Sequence, residues 1–179
     1  MALTRTVAVI GCSLLALLLV RQEARMTMLE DRLDNMEDII QTGTRIKYSQ
    51  KELDCLAKNI YYEAGIEKHP GKIAVGNVTI NRLKTGYWGN TICDVVYSKA
   101  QFSWTLKKKL PKPNDRVWDE SVVAARDVLN GFQVRGVQKS LFYHADYIKV
   151  PHWADPIHNV GQIGKHIFYN KAKGSTLEI

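Results

Sequence analysis

Apolar residues recur along this chain in several rhythms, and each predicts a different element. Between Arg5 and Arg21 the run TVAVIGCSLLALLLV carries no charge. As a helix it reaches only about 22 Å, against a hydrocarbon core of about 30 Å. Residues 1–4 lengthen it if Arg5 snorkels to the interface. Val20, Arg21, Gln22 and Glu23 make a poor cleavage site, which disfavours a removable signal peptide. Residues 1–21 are therefore expected to be a transmembrane signal-anchor, meeting the bilayer through residues 6–20. Next, Met26, Leu29, Leu33, Met36 and Ile40 alternate at three and four spacing. This heptad-like seam predicts a helical stalk and linker over residues 22–48, which can pair as a homodimer through residues 24–41.

From residue 49 the rhythm becomes that of a folded domain. Leu53, Leu56, Ala57, Ile60 and Ala64 line one helical face, with Gly65 as the stop. Pro70-Gly71 breaks the chain, and residues 72–84 read as a second helix with Ala74, Val75, Val78 and Leu83 inward. Gly76 within it implies close packing, and Gly86 closes it. Asn90 or Thr91 caps a short helix through Tyr97. Residues 106–114 read as a loop. Trp118, Val122, Ala125 and Leu129 mark a third long helix ending at Gly131, and residues 132–140 form a polar connection. SLFYHADY and KHIFYN favour short strands. The expected fold class is α+β: a mostly helical domain over residues 49–179 with a small late β-sheet, preceded by the transmembrane helix and stalk.

Charge narrows the partners. The chain of 179 residues has a formal charge of +7, and residues 49–179 hold 19 Lys and Arg against 12 Asp and Glu. A basic domain favours an anionic partner. No common nucleic-acid motif is present, so no nucleic-acid partner is expected. The run Lys107-Lys108-Lys109 reads as a solvated loop.

One residue stands out chemically. Glu63 lies two helical turns after Leu56 and so points nearly the same way as the apolar face. It also sits in the last turn of its helix, where the carbonyl dipoles disfavour negative charge. Dehydration and dipole both push the carboxyl toward its protonated form. An acid of that kind suits general-acid cleavage of a glycosidic bond. No second carboxylate stands out: Glu67 falls beyond the predicted helix end, and Asp94, Asp146 and Asp155 qualify only by type. Asn77 and Asn81 lie four apart on one face, where they either look into a groove or form an exposed polar stripe. Trp104 and Phe102 offer apolar faces to a sugar ring or pack in the core, and Gln101 and Ser103 supply hydrogen bonds.

Five blocks carry a resemblance: LAKNIYYEA (56–64), GKIAVGNVTINRLKTG (71–86), NTICDVVYSKAQFSW (90–104), LFYHADYIKVPHWA (141–154) and IGKHIFYN (163–170). In this order the chain resembles the SleB-type cell-wall hydrolases, the spore-cortex-lytic and related family. The resemblance implies a lysozyme-like fold that cuts peptidoglycan glycan strands, with Glu63 as catalytic acid/base and no cofactor or metal. It implies a cleft lined by Gln101, Phe102, Ser103 and Trp104, with Tyr143 and His144 opposite Glu63; Asn81 joins the expected substrate-binding residues from its place on the helical face. A lone acid fits a lytic transglycosylase acting between N-acetylmuramic acid and N-acetylglucosamine. The alternatives are a water-using muramidase, a zinc amidase built on His144, His152, His158, His166 and Asp146, and a non-catalytic wall-binding scaffold. The histidine spacing matches no compact metal motif.

Cys55 and Cys93 either pair, as in some relatives that the resemblance brings in, or remain two buried thiols. The expected location is the inner membrane, with the domain facing the periplasm or wall, in the manner of a signal-anchored phage endolysin; a virion-borne enzyme fits equally. Arg21, Arg25 and Arg32 after the apolar run argue for the opposite orientation. The substrate implied by the motifs overrides that bias.

Overall fold

The structure, a computed structural model, describes residues 16–30, 33, 38–111 and 113–171. The chain falls into two units, residues 1–37 and Asp38–Ile179. In the first, residues 16–30 are helical and expose Leu17, Leu18, Leu19, Val20, Met26, Met28 and Leu29. No helix among the described residues is long and apolar enough to cross a membrane. Most of the anchor expected over residues 6–20 lies outside the described residues, as does Met36 of the expected seam.

The second unit starts earlier than the pattern implied. Ile39–Gln41 is a strand, β1, and pairs antiparallel with Phe132–Val134, β2, with Ile39 opposite Val134. Residues 38–48, read from sequence as linker, therefore belong to the domain. Ile40 serves a strand and not the end of a helical seam. The polar connection expected over residues 132–140 contains the partner strand.

Four α-helices follow among the described residues. Helix α1 is Gln50–Ala64, and Ser49 and Glu52 close a reciprocal capping box at its start. Gly65 ends it in right-handed geometry, not the left-handed stop. Helix α2 is His69–Thr85; Pro70 and Gly71 lie inside its first turn, where proline's missing N–H costs nothing. Gly86 closes it in the left-handed region at φ 69°. Helix α3 is Ile92–Tyr97, capped by Thr91. Helix α4 is Asp115–Leu129, capped by Asn114.

Helix α2 is the centre of the domain, buried from Pro70 to Arg82. Leu53, Leu56 and Ile60 of α1, Ile73 and Val78 of α2, and Ala125, Val128 and Leu129 of α4 share one core with Phe168. Gly76 lets α1 and α4 approach α2: a Cβ there would sit 2.9 Å from Val128 Cγ2 and 3.1 Å from Ile60 Cδ1. A disulfide joins Cys55 of α1 to Cys93 of α3, with the Cα atoms 5.3 Å apart.

The late sheet has three antiparallel strands in the order β3-β5-β4: Phe142–Ala145, His166–Tyr169 and Asn159–Ile163. The expected strands are β3 and β5. Strand β4 follows a short 3-10 turn, Pro156–His158, and its pairing slips between Asn159 and Gly161. Polar NVGQI alternation with a glycine hides it from a hydrophobicity reading.

Buried asparagines tie the helices to the sheets. Asn77 Nδ2 donates to Phe132 O at 2.9 Å, and its Oδ1 accepts from Val134 N at 3.0 Å. It thereby bonds the backbone of β2, the partner of β1 in the two-stranded sheet. Replacing Asn77 with Ala leaves a part-buried carbonyl and a buried amide without the side-chain partner. The expected loss is about 2–4 kcal/mol in urea unfolding of the full chain. A loss below about 0.5 kcal/mol would contradict this role.

Candidate active site

Glu63 sits in the last turn of α1, partly buried. Across from it, β3 presents Tyr143, whose hydroxyl donates to Glu63 Oε2 at 3.2 Å. Tyr143 is held in place by ring contacts: His166 lies edge-on at 5.1 Å and Phe168 tilts against it at 5.6 Å. Residues 80 apart in sequence therefore meet because the end of α1 faces β3, an edge strand of the late sheet.

Charge at this site is a contest. Burial pushes the Glu63 carboxyl above the ordinary range, and this is the largest influence. The Tyr143 hydrogen bond, Arg82 and Lys107 all favour the carboxylate, yet the net direction is upward. Burial, reinforced by the charge of Glu63, holds the Tyr143 phenol well above its usual value, so Tyr143 remains a donor.

Arg82 is a residue that pattern reading missed. It lies on α2, and its Nε donates to Leu141 O at 2.9 Å. Its guanidinium sits 5.2 Å from the Trp88 ring centroid, 5.1 Å from Phe102 and 5.9 Å from Phe142. Such a cage supports a dehydrated cation. One nitrogen, Nη1, is buried without a hydrogen-bond partner. The signal was present in the sequence: Val75, Val78 and Arg82 follow the spacing of an inward helical face.

Glu67 is a second buried carboxylate, but it serves the fold. Its Oε1 accepts from Lys165 N at 3.1 Å and lies 3.5 Å from His166 Nδ1. Gly164, at φ 57°, packs so closely that a Cβ would overlap Glu67 Oε2. Burial lowers the His166 pKa despite Glu67 and Asp146, favouring a neutral ring. Glu67 thus pins the β4–β5 turn to the α1–α2 corner.

The other residues expected to line a cleft divide sharply. Asn81 is buried and its Nδ2 donates to Ser140 O at 3.0 Å; it neither faces a groove nor forms an exposed stripe. Phe102 is 2% exposed and Trp104 3% exposed. Phe102 is a wall of the Arg82 cage, and Trp104 stacks on Tyr62 while its Nε1 donates to Asn59 Oδ1 at 3.0 Å. Both aromatics are therefore core residues, because the segment Ser103–Leu106 turns as a 3-10 helix and tucks them inward. Ser103 is exposed and Gln101 half-buried, with Gln101 Nε2 donating to Lys99 O. His144 is buried, with Nε2 bonded to the Tyr169 hydroxyl at 3.0 Å and Nδ1 2.9 Å from Ala145 O. Its ring is committed to the sheet, not to Glu63. Among the described residues, no group of three or more His, Cys, Asp or Glu side chains converges as a metal would require.

Comparison with known proteins adds the family. Residues 66–169 match the cell wall hydrolase family model. The match starts just after Glu63 and includes Arg82 and Tyr143. The spore cortex-lytic enzyme of Oceanobacillus iheyensis is 30% identical over 122 residues, which is 68% of this chain and 42% of that protein. The spore cortex-lytic enzyme of Bacillus subtilis is 25% identical, over 68% of this chain and 38% of that one. The chain thus spans less than half the length of the curated relatives it matches. Among solved structures, the catalytic domain of the Bacillus cereus SleB protein superposes with a TM-score of 0.58 at 25% identity, covering 73% of this chain and 98% of that domain. The catalytic domain of the germination-specific lytic transglycosylase SleB from Bacillus anthracis gives 0.55 at 25% identity, covering 69% and 97%. The helical body and small late sheet are thus the lysozyme-like fold of the SleB catalytic domain, and the chain belongs to the cell wall hydrolase family.

Proposed function

We propose that this chain degrades peptidoglycan, cleaving the β-1,4 bond between N-acetylmuramic acid and N-acetylglucosamine as a lytic transglycosylase. The observation that carries the reading is Glu63: a carboxyl pushed toward its protonated form by burial, with a tyrosine donor on one oxygen. The spore cortex-lytic relatives and the SleB domains support the substrate class.

The chemistry needs only this acid. Protonated Glu63 gives its proton to the glycosidic oxygen, and the bond from that oxygen to the muramyl anomeric carbon breaks. The N-acetylglucosamine side leaves with its 4-hydroxyl restored. The muramyl 6-hydroxyl then attacks the anomeric carbon and returns its proton to the Glu63 carboxylate. The product is a 1,6-anhydro ring, and the acid is regenerated. Tyr143 steadies the carboxylate while it is charged, since a hydroxyl donor favours that form. The other buried carboxylate, Glu67, is engaged by Lys165 N. That favours the route without an activated water over the muramidase route, which uses two carboxylates.

The wall side of a membrane is the place this reading requires. The Cys55–Cys93 bridge suits an oxidising compartment. The uncharged run of residues 6–20 supplies a tether in this reading.

Two outcomes test the proposal. Full-length protein digesting purified sacculi is expected to release anhydro-muramyl ends, and Glu63→Gln is expected to lower that rate by about 10³-fold or more with an unchanged melting curve. Reducing ends in their place would assign the muramidase, and undiminished activity of the variant would remove Glu63 from the chemistry. Tyr143→Phe loses the bond that favours the carboxylate, so Glu63 keeps its proton to higher pH. The alkaline limb of the pH–rate profile is expected to move up, and a downward move would contradict the assigned role.

A further inference from the structure

We propose that Lys107, Lys108 and Lys109 form a subsite for the carboxylates of the peptide stems that peptidoglycan glycan strands carry. This inference rests on the reading of Glu63 as the glycan-cleaving acid, and it adds which feature of the strand is recognised beside that acid.

The loop after the 3-10 turn is fastened to α1 immediately before Glu63, at both ends. At its start, Lys107 N donates to Trp104 O at 3.2 Å, and Trp104 is locked to α1 through Asn59 and the Tyr62 ring. Further on, the Tyr62 hydroxyl donates to Pro111 O at 3.2 Å. At its end, Asn114 N donates to the Tyr61 hydroxyl at 2.8 Å. Residues 59, 61 and 62 thus hold the loop over the end of the helix that presents Glu63. The loop's position is set by the same turn of helix that sets the acid.

What the loop carries is one-sided. Lys107, Lys108 and Lys109 are exposed, and no acidic residue occurs between Thr105 and Asn114. No side chain of these three lysines makes a hydrogen bond or ion pair among the described residues. By contrast, Lys72 pairs with Glu120 at 3.0 Å and Arg116 reaches the same carboxylate. A positive charge near an acid that must keep its proton is unhelpful to that acid in the empty enzyme. Lys107 is close enough to favour the Glu63 carboxylate. An anion arriving on the loop offsets that influence. Carboxylates on the stem peptides meet both requirements: they are anionic, and they flank each muramyl residue of the strand. A run of ammonium groups on flexible stems suits such groups, which vary in position, better than a single rigid fork.

The test is co-sedimentation of the full-length chain with sacculi freed of phosphate polymers. A Glu63→Gln background keeps the strands intact during the measurement. Lys107→Gln, Lys108→Gln and Lys109→Gln are combined, and the three Lys→Arg changes serve as the conservative set. On native sacculi the triple Gln variant is expected to bind about tenfold more weakly, and the Arg set to bind nearly as the parent. On sacculi whose carboxylates have been converted to amides with carbodiimide and ammonia, parent and triple Gln variant are expected to bind alike. Raising salt should weaken the parent more than the variant on native sacculi only. Equal binding of parent and triple Gln variant to native sacculi overturns the proposal, as does a gap that survives amidation. A gap seen only on sacculi retaining their phosphate polymers also overturns it, by assigning the subsite to phosphate. Because binding is read separately from cleavage, loss of the glycan-cleaving reading shows as wild-type protein that cuts no sacculi, whatever the lysine result.

Discussion

A carboxyl group kept from water at the end of a helix is the constraint on which the site depends. Glu63 is surrounded by groups that would each prefer it charged: the Tyr143 hydroxyl, the caged Arg82 and the Lys107 ammonium. Burial outweighs all three. The balance is useful because both influences are present. A carboxyl without those partners would resist giving up its proton, and one with full solvation would have lost it before substrate arrived. Tyr143 and Arg82 therefore bear on the charge of the Glu63 carboxyl even though neither needs to exchange a proton.

The fold serves this balance by spending its buried polar groups on backbone. Helix α2 runs through the middle of the domain, and a helix buried on all sides is ordinarily apolar. Here Asn77 closes the bonds of β2, Asn81 holds Ser140 O, and Arg82 holds Leu141 O. The last two fix the approach to β3, and β3 carries Tyr143. A polar group paired inside the protein costs little, while the same group left alone costs its full desolvation. Asn81 and Arg82 thus position the late sheet against the acid from one side, and Glu67 does so from the other by holding Lys165 N just before β5. The disulfide braces α1 against α3 near the opposite end of the acid's helix.

The elements that depend on local rhythm were readable in the sequence. The periodicity of α1 and α4, the Thr91 cap, the Gly86 stop and the aromatic strands β3 and β5 all follow from neighbours a few residues apart. Glu63 was legible for the same reason, since its position on the apolar face is a matter of helical spacing. Features that depend on distant partners were hidden. Strand β2 reads as a polar connection until Ile39 is seen opposite Val134. Asn81 reads as a groove or exposed-stripe residue because polar side chains ordinarily face water, and His144 as a cleft residue through the resemblance; only Ser140 O and the Tyr169 hydroxyl reveal why they are inside. The aromatic character of Phe102 and Trp104 fitted a sugar-facing wall as well as a core, and the structure buries both. Arg82 kept core spacing and was still overlooked, because a charge at such a position is informative only when read as an exception.

The central claim is that burial governs the Glu63 proton. The direct measurement is a pH titration of its side-chain carboxyl by carbon-13 NMR, with the resonance assigned by its loss in Glu63→Gln. The account predicts a midpoint above the ordinary glutamate value of about 4.3. A midpoint at or below that value would mean that Tyr143, Arg82 and Lys107 outweigh burial, and the acid described here would already be spent at neutral pH.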